Sequence, residues 1–303
     1  MSSLDKAIRR VPQWAGAQDL RTTFISGGIT NLNYRVDMGG ESYVLRIGGA
    51  DSGLLGIQRE CEYAANRAAA SVGIAPEVVY FMQPEGWLVT RFISGRPLSP
   101  EEIGQPANIR RVAEALRRIH ALPPIPLTFS PFRTVEEYTA TARSYGVAFP
   151  DNFDRLAART NEIESAFRQD PFVPHLCHND LLNANFLDDG RLYILDWEYA
   201  GMGDVIFDLA NFAAHHEFKD EQDRFLLECY FGDPPTPAGL ARLNLMKIAS
   251  DFREAMWGMV QIGISKLDFD FRGYAEKHFG RMVEALGDPH YERWLKDASE
   301  NNS

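Results

Sequence analysis

His178-Asn179-Asp180-Leu181-Leu182-Asn183-Ala184-Asn185 is followed eleven residues later by Asp196-Trp197-Glu198, at the end of the apolar run Leu192-Tyr193-Ile194-Leu195. Moving the γ-phosphoryl of ATP needs a carboxylate to orient and deprotonate the acceptor hydroxyl, and hard oxygen ligands to hold Mg²⁺ against the phosphates. The segment offers those groups in that order. Asp180 stands as the base, Asn185 as a metal ligand five residues on, and Asp196 as the main metal ligand at a strand end. The Asp-x-x-x-x-Asn spacing with a later metal-binding Asp is the arrangement phosphoryl-transfer sites use. A solvated loop of turn formers is the bland alternative, and it leaves the joint spacing unexplained.

Up to about Phe92 the chain alternates in short β-rich runs: Thr22 to Ser26, Asn33 to Met38, Glu41 to Ile47, Val78 to Met82 and Trp87 to Ile93. Gly39-Gly40 and Pro84-Glu85-Gly86 mark turns between them. Ile57 to Ser71 is charged, Ala-rich and closed by Gly73 and Pro76, which predicts a helix. After Ser94-Gly95-Arg96-Pro97 the period becomes helical, over Ala107 to Leu122, Val135 to Tyr145, Phe153 to Phe167, Val205 to Phe218, Glu221 to Phe231, Ala238 to Ser265 and Phe271 to Leu286. The tail after Lys296 is expected to fray. The pattern predicts an α+β, two-lobe fold: a five-stranded antiparallel lobe with one helix over residues 1–93, and a mainly helical lobe over 94–303. The site falls between them.

Composition narrows the function classes. With 303 residues, 45% of them hydrophobic, the chain can bury a sizeable core. A formal charge of −11 disfavours nucleic acid and suits a cationic partner. Cys61, Cys177 and Cys229 are far apart and lack C-x-x-C spacing, so neither a disulfide framework nor a zinc site is expected. Met1 to Leu20 has no apolar core of a signal peptide, and no run reaches the about 18 apolar residues of a membrane helix. These features fit a cytoplasmic protein with reduced thiols.

Two further runs join the first motif in a family resemblance, which implies a protein-kinase-like fold. The chain resembles the choline/ethanolamine kinase group of the aminoglycoside phosphotransferase-like kinases, closest to the bacterial choline kinase-like branch. The resemblance is carried by His178 to Asn185, by Ile194-Leu195-Asp196-Trp197-Glu198-Tyr199-Ala200-Gly201 and by Phe207-Asp208-Leu209-Ala210-Asn211, and it runs from about residue 22 to about 285. It implies that Gly27, Gly28, Thr30 and Asn31, in a Gly-Gly-x-Thr-Asn run, contact phosphates. It also implies that Arg46 touches the α- and β-phosphates and pairs with an acid of the next helix, Glu60 before Glu62. Asp208 is implied as a brace for the catalytic loop. The Trp257 to Glu276 segment resembles the one whose Trp and Tyr enclose a quaternary ammonium, which assigns Trp257 and Tyr274 to a cation–π cage. Two departures stand out. The family's second Trp falls at Glu254, and the acid expected after Phe207-Asp208 falls near His215.

The surroundings of a few other residues give them roles of their own. Asp204 reads as a helix N-cap and His178 as a loop-fixing hydrogen bonder, while His120 reads as a structural histidine at a helix end. Glu254 and Trp257 are three apart on one helix and so neighbour each other.

The expected activity is ATP- and Mg²⁺-dependent phosphorylation of a small cationic amino alcohol, choline first and ethanolamine next. The backbone of Arg91, Phe92 and Ile93 would meet adenine; Glu198 either adds to the metal shell or contacts the acceptor. The rivals are a thiamine, aminoglycoside or sugar kinase of the same architecture, and a non-catalytic nucleotide-binding module.

Overall fold

The computed structural model describes residues 2–26, 31–49 and 52–300. Ser2 opens the chain with a capping box to Asp5, satisfying free N–H groups of helix α1 (Ser3–Arg10). Strands β1 (Arg21–Ile25), β2 (Asn31–Met38) and β3 (Glu41–Gly48) follow, then helix α2 (Arg59–Ser71) and strands β4 (Val78–Met82) and β5 (Trp87–Arg91). All five strands pair antiparallel in one sheet of order β1-β2-β3-β5-β4. The β2–β3 hairpin turns at Gly39 and Gly40, whose positive φ values of 59° and 80° suit glycine. This sheet has an apolar core of its own, in which Ala7, Val11 and Trp14 pack on Val36, Tyr43 and Leu45.

The remainder is mostly helical. Strand β6 (Arg96–Pro97) leads to α3 (Pro100–Ile103), α4 (Pro106–His120), α5 (Pro131–Ser144) and α6 (Phe153–Phe167). Short strands β7 (His175–Cys177), β8 (Phe186–Asp188), β9 (Leu192–Ile194) and β10 (Gly201–Gly203) come next. The chain finishes with α7 (Val205–His215), α8 (Asp220–Phe231), α9 (Pro237–Ile264), α10 (Phe271–Leu286) and α11 (Tyr291–Ser299). Residues of α9 from Ile248 to Gln261 are buried, so this helix is the axis on which α5, α7, α10 and α11 pack. No helix among the described residues is long and apolar enough to cross a membrane.

The fold is α+β, with the antiparallel five-stranded sheet and the helical remainder that the sequence predicts. Three details differ. Residues 3–10 form a helix whose apolar side covers the sheet, so α2 is not the one helix of that region. The chain after Lys296 stays helical to Ser299 because Tyr291 and Ala298 are buried against the helical core. Helix α7 stops at His215, short of Phe218, with Glu217 at a φ of 52° that leaves the helix.

Candidate active site

The loop between β7 and β8 is held from beneath by one carboxylate. Fully buried Asp208, in the first turns of α7, accepts the backbone N–H of His178 at 2.8 Å and of Asn179 at 2.7 Å, and His120 Nε2 lies 3.0 Å away. Aligned N–H donors and an imidazole offset the cost of burying that charge. Asn211, one turn later on α7, accepts the Leu181 N–H at 2.6 Å. His178 donates through Nε2 to the Leu195 carbonyl at 2.8 Å, and its Nδ1 accepts the Asp180 N–H. Burial holds its imidazole below the ordinary range, so it stays neutral in both bonds. Asp204 caps α7 by accepting the Ile206 N–H at 2.9 Å.

The clamp delivers three side chains to one spot. Asn185 donates its amide nitrogen to the Asp180 carbonyl at 2.8 Å and to the Asp180 carboxylate at 3.3 Å, leaving its side-chain oxygen as the atom available to a metal. Asp196 follows β9 with a φ of 62°, a strained position for a non-glycine residue, and its side chain stays 35% exposed. Burial pushes the Asp180 carboxyl up to about 7; neighbouring Arg253 pulls against that shift and Glu254 adds to it.

Asn185 and Asp196 stand where two cavities meet. One, of about 330 Å³, is lined by Arg46, Thr90, Arg91, Phe92 and Ile93. The other, of about 280 Å³, is lined by Asp180, Glu198, Tyr199, Glu254, Trp257 and Tyr274. Arg46 joins them, since its guanidinium contacts Asp196 Oδ1 at 2.5 Å and pairs on its other side with Glu62. Glu60, the acid preferred from sequence, is exposed. The two glutamates lie about 200° apart around α2, so only one can face the strand, and Glu62 is the buried one. Gly27, Gly28 and Thr30 lie outside the described residues. Asn31 is described: its amide nitrogen donates to Glu198 Oε2 at 2.9 Å.

In the second cavity Trp257 and Tyr274 meet edge to face, with ring centroids 5.5 Å apart. The Tyr274 hydroxyl donates to Glu254 at 2.6 Å, and Trp257 Nε1 donates to the Tyr199 hydroxyl at 3.1 Å. Burial alone would raise the Glu254 carboxyl, but Arg253 and His215 hold it well below the ordinary carboxylate range. The residue at the departed Trp position therefore brings a fixed negative charge into the cavity.

Two participants escape the sequence reading. Arg59 contacts Glu62 at 2.8 Å, Glu198 at 3.2 Å and Asn31 at 3.0 Å. Arg253, in the middle of α9, contacts Asp180 at 3.2 Å. The signal for Arg253 is its place beside Asp251 and Glu254, charges set between the apolar residues Ile248-Ala249 and Ala255-Met256-Trp257 of one helix.

Several known proteins are similar to this chain along most of its length. Protein LicA of Haemophilus influenzae is 30% identical over 209 residues, 67% of this chain and 61% of LicA, so the chain spans under two thirds of that relative. Ethanolamine kinase 2 of Mus musculus is 28% identical over 306 residues, covering 90% of this chain and 78% of that protein. The solved structure of a choline/ethanolamine kinase family protein from Mesorhizobium loti superposes with a TM-score of 0.84 at 31% identity, over 98% of this chain and 99% of its own. The model of the phosphotransferase enzyme family matches residues 21–243, from β1 through the clamped loop and both following carboxylates into α9. The chain belongs to the phosphotransferase enzyme family.

Proposed function

We propose that this chain is an ATP- and Mg²⁺-dependent kinase that phosphorylates the hydroxyl of a small cationic amino alcohol, choline or ethanolamine. The observation that carries the reading is the position of Asn185 and Asp196 at the junction of the two cavities, with Asp180 on the wall of the second. Residues 1–93 would serve as the nucleotide-binding lobe and 94–303 as the catalytic and acceptor-binding lobe. The backbone of Arg91 to Ile93 would receive adenine. Arg46, with Asn31 and the run Gly27, Gly28 and Thr30, would receive the phosphates.

Asp180 takes the proton of the acceptor hydroxyl as that oxygen forms its bond to the γ-phosphorus and the bond to the ADP oxygen breaks. A base raised toward neutral pH by burial suits that task. Asn185 and Asp196 offer the hard oxygens that Mg²⁺ takes, from a carbonyl and a half-exposed carboxylate, and so fit the ion. When bound, Mg²⁺ supplies neutralisation of phosphate charge. Glu198 is assigned to the acceptor cavity, whose wall it lines while one of its oxygens meets Asn31 and Arg59.

The size of the acceptor cavity and its Trp257–Tyr274 corner favour a compact cation over an aminoglycoside. Glu254 favours ethanolamine as the second reading, because a primary ammonium donates hydrogen bonds that a quaternary one lacks. The test is ADP release across choline, ethanolamine, thiamine and aminoglycosides, with Asp196→Ala as control. Turnover is expected with an amino alcohol and none in the variant. Turnover confined to thiamine or aminoglycosides, or an unimpaired folded Asp196→Ala, contradicts it.

A further inference from the structure

Arg253 is an expensive residue in its place. It is 1% exposed in the middle of α9, and a charge so buried persists only against opposite charge in good geometry. Its Nη1 meets two carboxylates: Asp180 Oδ1 at 3.2 Å and Glu254 Oε1 in a shorter contact. The guanidinium lies over Tyr199, its central carbon 4.3 Å from the ring centroid. Tyr199 is itself fixed, since its hydroxyl takes the Trp257 indole N–H and its carbonyl takes the Asn179 side chain at 3.0 Å. Asp180, His215 and Glu254 bring ligand atoms within 4.8 Å of one another, the spacing of a metal site. The guanidinium already lies against two of those three, so the cluster's cation is built into the protein.

We propose that Arg253 is a positioning residue of the phosphoryl-transfer site: it fixes Asp180 toward the acceptor and ties the base to the acceptor carboxylate Glu254. The inference rests on the kinase reading above. Asp180 is gripped from both sides, Oδ1 by Arg253 and Oδ2 by Asn185. Losing the Arg253 grip frees the carboxylate to turn out of line and leaves it beside Glu254 with no cation between them. An Arg is required because its planar head stacks on Tyr199 while one nitrogen serves both acids; a Lys ammonium offers a point charge with no plane.

A double-mutant cycle separates this role from a merely structural one. Turnover and KM for ATP and for the amine are measured on wild type, Arg253→Met, Asp180→Asn and the double variant. Misplacing a reacting group by about 1 Å costs about 10²-fold, so Arg253→Met should lower kcat by about that factor with KM for ATP unchanged. In the Asp180→Asn background the same change should cost under about threefold, because the group it positions is already gone. Equal losses in both backgrounds overturn the proposal, as does an Arg253→Met enzyme with wild-type kcat. If Arg253→Met does not fold, the cycle is run with Arg253→Lys, which keeps the charge and is held to the same comparison. A wild type that phosphorylates no amine sinks the kinase reading itself, and the positioning role with it.

Discussion

Asn185 reaches back five residues to hold Asp180 twice, through the backbone carbonyl and through the carboxylate. One amide nitrogen thus holds the proposed base at two points and leaves the Asn185 side-chain oxygen for a metal. If Mg²⁺ binds that oxygen, Asn185→Ala should raise the Mg²⁺ concentration for half-maximal turnover by about 10- to 100-fold. A Mg²⁺ titration of both proteins reads this directly, and an unmoved half-saturation point removes Asn185 from the metal shell.

The pairing of Arg46 with Glu62 predicts a contrast between two glutamates on one helix. Glu62 is 2% exposed and also receives Arg59, so Glu62→Ala takes one partner from each of two largely buried cations. Removing one member of a buried pair costs about 3 to 5 kcal/mol. Denaturant unfolding should show that loss, accompanied by a higher KM for ATP. Glu60→Ala should change neither quantity; a matching effect at Glu60 would reverse the assignment.

Acceptor recognition should split between the aromatic corner and the carboxylate. A desolvated cation–π contact is worth up to about 2 kcal/mol, so Trp257→Ala should weaken choline use on the order of 30-fold and spare ATP binding. Glu254→Gln should hurt ethanolamine more than choline, since only the primary ammonium loses hydrogen bonds as well as charge. The readout is kcat/KM for both amines. A Trp257→Ala enzyme unaffected with either amine would make Trp257 a core residue only.

Acid sensitivity has a named source at the end of α7. Burial pulls the His216 imidazole from 6.5 down to about 4, although its Nδ1 donates to the Phe212 carbonyl at 2.7 Å; its Nε2 is buried with no hydrogen-bond partner among the described residues. Between those values the unfolded chain takes up a proton that the folded chain refuses. This contribution is whole above pH 6.5 and is lost as pH falls toward 4, on the order of 3 kcal/mol in all. His216→Gln cannot titrate, so its stability should fall less steeply over that window in urea unfolding. Parallel pH profiles for the two proteins would assign the acid loss elsewhere.

How much of this was legible in the sequence follows from which interactions are local. The catalytic loop was readable because its chemistry is compressed into eight consecutive residues, and Phe153–Phe167 because its apolar period needs no partner to be seen. Helix α1 announces itself through the Ser2 and Asp5 capping box, a local signal that the charged alternation of the first residues masks. The choice of Glu62 over Glu60 depends on which face of α2 packs against the sheet, a tertiary contact that the local sequence does not record. Arg253 was out of reach for a different reason: a charge in an apolar helix signals a partner but does not name one. That partner, Asp180, lies 73 residues earlier.

The most direct test of the account is formation of the phosphorylated amine, followed by phosphorus NMR with ATP, Mg²⁺ and either choline or ethanolamine, on wild type and Asp180→Asn. The wild type should produce amine phosphate one-for-one with ADP. Asp180→Asn should bind ATP as before and lose about 10²- to 10⁴-fold in rate, the worth of a general base. No amine phosphate from the wild type, or an Asp180→Asn rate within about tenfold of it, only about 1.4 kcal/mol of barrier, would contradict the claim that Asp180 drives phosphoryl transfer to an amino alcohol.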